Sequence, residues 1–110
     1  VNGETFRPID LLTASGRLVR VRTAASAEVA ALTIVCGVVR HAAGAGAVHL
    51  VAEMGGMIVA ALTLLREAEG YVAHLCVRIE ERGDAIGSRL LDQARSGLGI
   101  DVIREVVACP

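Results

Sequence analysis

A chain of 110 residues, 54% hydrophobic and 21% charged, is the size of one domain and has enough apolar side chains to bury a core. Its formal net charge is -1, with acids and bases interspersed, so it offers no basic face to a phosphate backbone, which excludes nucleic acid as a partner. One Phe, one Tyr and no Trp leave the core to Val, Leu, Ile and Ala and provide few faces on which a base or sugar can stack.

All 11 basic residues are Arg, and with abundant Ala, Val and Gly this points to a GC-rich bacterial coding bias. The three cysteines, Cys36, Cys76 and Cys109, are far apart and never form a CxxC pair. They read as reduced, buried and structural. No basic stretch followed by an apolar run opens the chain, and the longest apolar stretch, Ala24 to Val39, is interrupted by Glu28. That is too short to span a bilayer, so the expectation is a cytoplasmic protein with no membrane partner.

Residues 1–17, with Gly3, Pro8 and Gly16 and no clear period, read as a leader draped over the surface, with short helical character at Ile9 to Thr13. From Leu18 the pattern alternates, Val19 and Val21 on one face and Arg20 and Arg22 on the other, which predicts a half-buried strand. Ser26 can cap a helix whose first turn holds Glu28, an acid at the positive end of the dipole. Val29, Leu32, Cys36 and Val39 carry that helix to near His41. Val48 to Glu53 and Met57 to Leu65 are strand-like runs separated by Met54, Gly55 and Gly56, a hairpin signal. A turn over Glu67 to Gly70 leads into a third antiparallel strand, Tyr71 to Arg78. Ile86, Leu90, Leu91 and Ala94 then mark one face of a helix ending near Gly97 or Gly99, and Val102 to Ala108 is a last strand.

The strand ending in Leu75-Cys76-Val77 runs through Arg78-Ile79-Glu80-Glu81 into Arg82-Gly83-Asp84-Ala85-Ile86-Gly87-Ser88 and then Arg89-Leu90-Leu91. A glycine-bearing loop that opens a helix aims unpaired backbone N–H groups at one point, where the helix dipole adds positive potential. Such a place suits a phosphate. This segment resembles the central motif of the GCN5-related N-acetyltransferase (GNAT) superfamily, in which a Leu-x-Val strand precedes an Arg-Gly-x-Gly-x-Gly loop and a helix beginning with small residues. Leu75 and Val77 match the strand; Arg82, Gly83, Ile86, Gly87, Ser88, Leu90 and Leu91 match the loop and helix.

The element order agrees over roughly residues 18–109. The fold expected from the resemblance is therefore α/β (α+β): a mixed, mostly antiparallel sheet of about five strands with two main helices. The division implied is a leader at 1–17 and a GNAT-like core at 18–110. The resemblance also implies acetyl-CoA as the ligand and a small-molecule or protein amine as the acceptor. Arg82, Gly83, Asp84, Ala85, Ile86, Gly87 and Ser88 would take the pyrophosphate, and the backbone of Leu75, Cys76 and Val77 would take the pantetheine arm where two strands part. Three features depart from the family pattern. Ala85 replaces a glycine, in a place that can demand a backbone angle Ala resists. Asp84 stands where a basic residue is common, setting a negative charge beside an anion site. The chain stops at Pro110, before the family's last helix and strand pair, and Tyr71 does not match the tyrosine often found there.

His74, near the expected thioester, is a candidate general base; its position equally suits a buried, hydrogen-bonded histidine. His41 and His49 show no ligand-like spacing with it, so no metal is assigned. Glu67 and Glu69 read as a solvated turn, and Cys76 has no visible partner to activate it as a nucleophile. An apolar last strand with one unpaired edge predicts a homodimer. Two alternatives to an acetyltransferase-like protein stay open: an inactive GNAT-like binding or dimerisation module, and an unrelated small α/β dimer of roadblock type.

Overall fold

The alternation at Leu18–Thr23 folds as expected, with Val19 and Val21 buried and Arg20 exposed. In the computed structural model, which describes residues 6–25, 28 and 47–108, this segment is the second strand of a six-stranded sheet. The strands are β1 (Ile9–Leu12), β2 (Leu18–Thr23), β3 (Val48–Met54), β4 (Met57–Glu67), β5 (Gly70–Val77) and β6 (Ile103–Ala108). The helix α1 (Ile86–Leu98) lies between β5 and β6. Spatial order follows chain order. Neighbours run antiparallel except β5 and β6, which are parallel, and a parallel pair needs a crossover such as α1 provides.

The β3–β4 hairpin turns at Gly55 and Gly56, with φ of 56° and 80°, and pairs Met54 with Met57. Two successive positive φ values are what a two-residue hairpin twisting with its strands requires. The expected three-strand meander follows, since β4 pairs with β5 from Glu67↔Gly70 through Ala60↔Val77. Helix α1 buries Ile86, Leu90, Ala94 and Leu98, a four-residue spacing that makes one stripe. The stripe joins Val19, Val21, Leu50, Leu62, Leu64 and Ala73 in one core. On the other side of the sheet Val51 and Ala61 form a smaller cluster.

The structure corrects the reading of the N-terminal segment. Ile9 to Thr13 is not helical: Ile9–Leu12 is a strand that pairs with β2 from Ile9↔Val21 to Leu12↔Leu18. Phe6 is buried in the core and Thr13 is buried beside the turn, so this stretch is built into the fold rather than draped over it. β1 is also why the sheet has six strands instead of about five. The helix expected from Ser26 to near His41 lies outside the described residues, apart from Glu28. No helix among the described residues is long and apolar enough to cross a membrane.

Candidate functional site

Between β5 and α1 the backbone makes one 3-10 turn, Ile79–Glu81, and then reverses through Gly83 at φ 87° and Ala85 at φ 63°, ψ 18°. Gly83 is required by its angle rather than by space, since a Cβ there would meet nothing within 4 Å. Ala85 holds the left-handed conformation as the N-cap of α1 and is the one described non-glycine residue with positive φ. The concern raised by the alanine thus has a physical basis, because an L-residue pays about 1–2 kcal/mol there. No side-chain hydrogen bond caps the helix start. The first-turn N–H groups of a helix lack intrahelical partners, and here they stand at the positive end of the dipole.

Asp84 does not face those amides. Its Oδ1 accepts the Ser15 N–H at 2.6 Å, and its Oδ2 accepts the Ser15 hydroxyl at 2.8 Å and Arg17 Nε and Nη2 at 3.2 and 2.8 Å. The Thr13 hydroxyl, the Arg17 guanidinium and the Ser15 donors hold its carboxyl well below the usual carboxylate range. The negative charge expected beside the loop is therefore paired with Arg17, a guanidinium that it shares with Glu81. Arg17 also reaches Glu81 at 2.5 Å, the Ala14 N–H donates to the Asp84 carbonyl at 3.0 Å, and Arg89 Nε donates to the Leu12 carbonyl at 3.1 Å. Sequence reading missed Thr13, Ser15 and Arg17. They lie more than sixty positions from Asp84, and only the sheet brings their turn to the loop.

Gly87 has a different role from Gly83. A Cβ at Gly87 would come within 2.8 Å of Leu75 Cδ2 and 3.7 Å of Val77 Cγ2. The first turn of α1 therefore presses directly on the end of β5, which places Leu75 and Val77 against Gly87. Arg82 is exposed, with its Nε donating to the Val77 carbonyl at 3.1 Å. Pairing of β5 with β6 runs to Leu75↔Ala108. Beyond it, Cys76 and Val77 pair with β4 at Ala61 and Ala60. Cys76 is disulfide-bonded, which corrects the reading of a reduced thiol; Cys36 and Cys109 lie outside the described residues.

His74 sits opposite Thr63 on β4 and Val107 on β6. Strand alternation turns it away from α1, since Ala73 and Leu75 belong to the α1 side. Its Nδ1 is buried with no hydrogen-bond partner, so the reading of a satisfied, hydrogen-bonded histidine does not hold at that atom. Thr63 is instead engaged by His49, with Nδ1 and Oγ1 at 3.0 Å. His49, Thr63 and His74 thus form a polar row across three strands, which the spacing of the histidines in sequence did not reveal.

No family model matches the sequence, and no curated protein matches it either. Solved structures do match. The GNAT domain of PAT from S. lividans superposes with a TM-score of 0.65 at 18% identity, over 92% of this chain and 77% of that one. A cAMP-binding acyltransferase from Mycobacterium smegmatis gives 0.57 at 18% identity, over 80% of this chain and 33% of that one. A ribosomal-protein-alanine N-acetyltransferase from Brucella melitensis biovar Abortus 2308 gives 0.51 at 17% identity, over 83% and 79%. The chain thus spans about three quarters of the first and one third of the second. At this identity the likeness concerns architecture, and it sets aside a roadblock-type fold. With its antiparallel meander, its parallel β5–β6 pair and a loop that opens α1 at the end of β5, this chain has the fold of the GCN5-related N-acetyltransferases.

Proposed function

We infer that this chain binds acetyl-CoA and transfers its acetyl group to a primary amine. The observation that carries this reading is the start of α1, which has no side-chain cap and lies against Leu75 at the end of β5, within a GNAT fold. The residues present fit a diphosphate. Gly83 provides the reversal, and Asp84 spends its charge on Arg17 rather than on the loop. In this reading the amides from Arg82 through Ser88 hold the pyrophosphate, and the backbone of Cys76 and Val77 holds the pantetheine arm; Leu75, expected to share in this, is paired with Ala108 on β6.

Acetyl-CoA would supply the activated thioester. A neutral amine attacks the carbonyl carbon, the C–N bond forms, the C–S bond breaks, and the thiolate takes up a proton. The β5 amides polarise the carbonyl, and His74 is the candidate base for the amine proton. Bacterial origin belongs to the same proposal. Isothermal titration with acetyl-CoA and with CoA tests it. Saturable binding of both is expected, and no heat at millimolar ligand overturns it.

A second reading, an inactive GNAT-like binding or dimerisation module, is favoured by the left-handed Ala85 and by Val106 on β6, which is 43% exposed. It predicts a homodimer through the β6 edge. Light scattering that gives a monomer at high concentration removes it.

A further inference from the structure

The loop that opens α1 contains two left-handed residues, Gly83 and Ala85, on either side of Asp84. Strained conformations persist only where their surroundings over-determine them. Here the surroundings are the turn between β1 and β2. It holds the loop at three successive points: Arg17 on Glu81 ahead of the reversal, Ser15 and Arg17 on Asp84 within it, and the Leu12 carbonyl on Arg89 in the first turn of the helix. Asp84 is the centre of this arrangement, with four donor contacts on its carboxylate and the Ala14 N–H on its carbonyl.

An aspartate at a helix N-cap turns its carboxylate onto the first free amides, because they are unsatisfied donors at the positive end of a dipole, and Asp84 stands one residue before the N-cap Ala85. In this chain that does not happen: Asp84 binds the turn, and α1 carries no side-chain cap. We propose that Arg17 and Ser15 are positioning residues that draw Asp84 away from the start of α1, keeping its amides open to an anionic ligand and preventing Asp84 from acting as an internal competitor. The proposal rests on the anion-binding reading of that loop and adds its means of regulation. Loss of the Arg17 fork frees a carboxylate that is held on the β1–β2 turn to act as an anion at the helix start.

The test is a mutational cycle read in two independent ways. Arg17→Ala, Asp84→Ala and the double variant are titrated with CoA. Arg17→Ala is expected to bind about tenfold more weakly, the scale of one charge-assisted hydrogen bond. Asp84→Ala is expected to lose less, and the double variant to match Asp84→Ala, so that removing the carboxylate rescues the arginine loss. If Arg17 contacted the ligand itself, or merely stabilised the fold, the double variant would be at least as weak as Arg17→Ala, and that result overturns the proposal.

The second readout needs no ligand: hydrogen exchange at the amides of Ile86, Gly87 and Ser88. These are expected to slow in Arg17→Ala, as Asp84 moves onto them, and not in the double variant. Unchanged exchange in Arg17→Ala overturns the proposal even if no CoA binds to the native protein. Should Arg17→Ala fail to fold, Ser15→Ala, which removes one donor from the carboxylate, takes its place in both measurements with the same expected direction.

Discussion

Replacing Ala85 with glycine should stabilise this protein, although glycine usually weakens a helix. Ala85 sits at φ 63°, ψ 18° as the N-cap of α1, a conformation that costs an L-residue about 1–2 kcal/mol and glycine almost nothing. Against this, the glycine chain has more freedom to lose on folding, about 0.4–1 kcal/mol. The difference favours Ala85→Gly by about 0.5–1 kcal/mol. A 110-residue chain has an unfolding entropy of about 0.23 kcal/mol/K at the usual ~2.1 cal/mol/K per residue, so the midpoint should rise by about 2–4 °C. Thermal melts and urea titrations at unchanged m-value measure this. Ala68→Gly is the control, because Ala68 is exposed and has no positive φ; it should lose stability by a few tenths of a kcal/mol to ~1 kcal/mol. If Ala85→Gly behaves like Ala68→Gly, the left-handed strain assigned to the loop is wrong.

At Gly87, Ala has to displace Leu75 Cδ2 from 2.8 Å, which should cost about 1–3 kcal/mol in urea unfolding. Leu75→Ala in the same chain should recover part of that loss. Phe6→Ala removes a buried ring packed on Gly97 and should cost about 3 kcal/mol; a negligible change in the urea midpoint would return this segment to a surface leader. Acid should destabilise the protein through two carboxyls. Glu28 is lowered from 4.5 to about 2 by Arg22 and the Ala25 N–H, and Asp84 lies well below its ordinary 3.8. Each folded-state value is below the unfolded one, so their contribution is fully present above about pH 5 and is lost as pH falls through the folded values. In pH-dependent melts Asp84→Asn should flatten the lower part of that decline and Glu28→Gln the upper part. An unchanged profile in both would contradict the ion pairs.

Local signals made much of this fold legible. Gly55 and Gly56 announce their hairpin because few other residues take two positive φ values in succession. The alternation through Val19 and Val21 declares a half-buried strand whatever its neighbours are, and the Leu75–Ser88 segment combines strand, reversal and helix start in one stretch of chain. β1 was not legible. Its four residues include Ile9 and Leu12, apolar and exposed on opposite faces, so they show no alternation, and pairing with β2 gives the segment its conformation. The same limit hid the fate of Asp84. A carboxylate in an anion loop reads as repulsive until Ser15 and Arg17 are brought to it.

Sequence alone determined the strand–helix order from Leu18 on, the turns and the position of the glycine-bearing loop that opens α1, because backbone propensity and side-chain periodicity act over a few residues. Tertiary structure alone decided which arginine holds Asp84 and which glycine serves packing. Those outcomes depend on contacts between segments tens of residues apart, and such contacts exist only once the sheet has assembled.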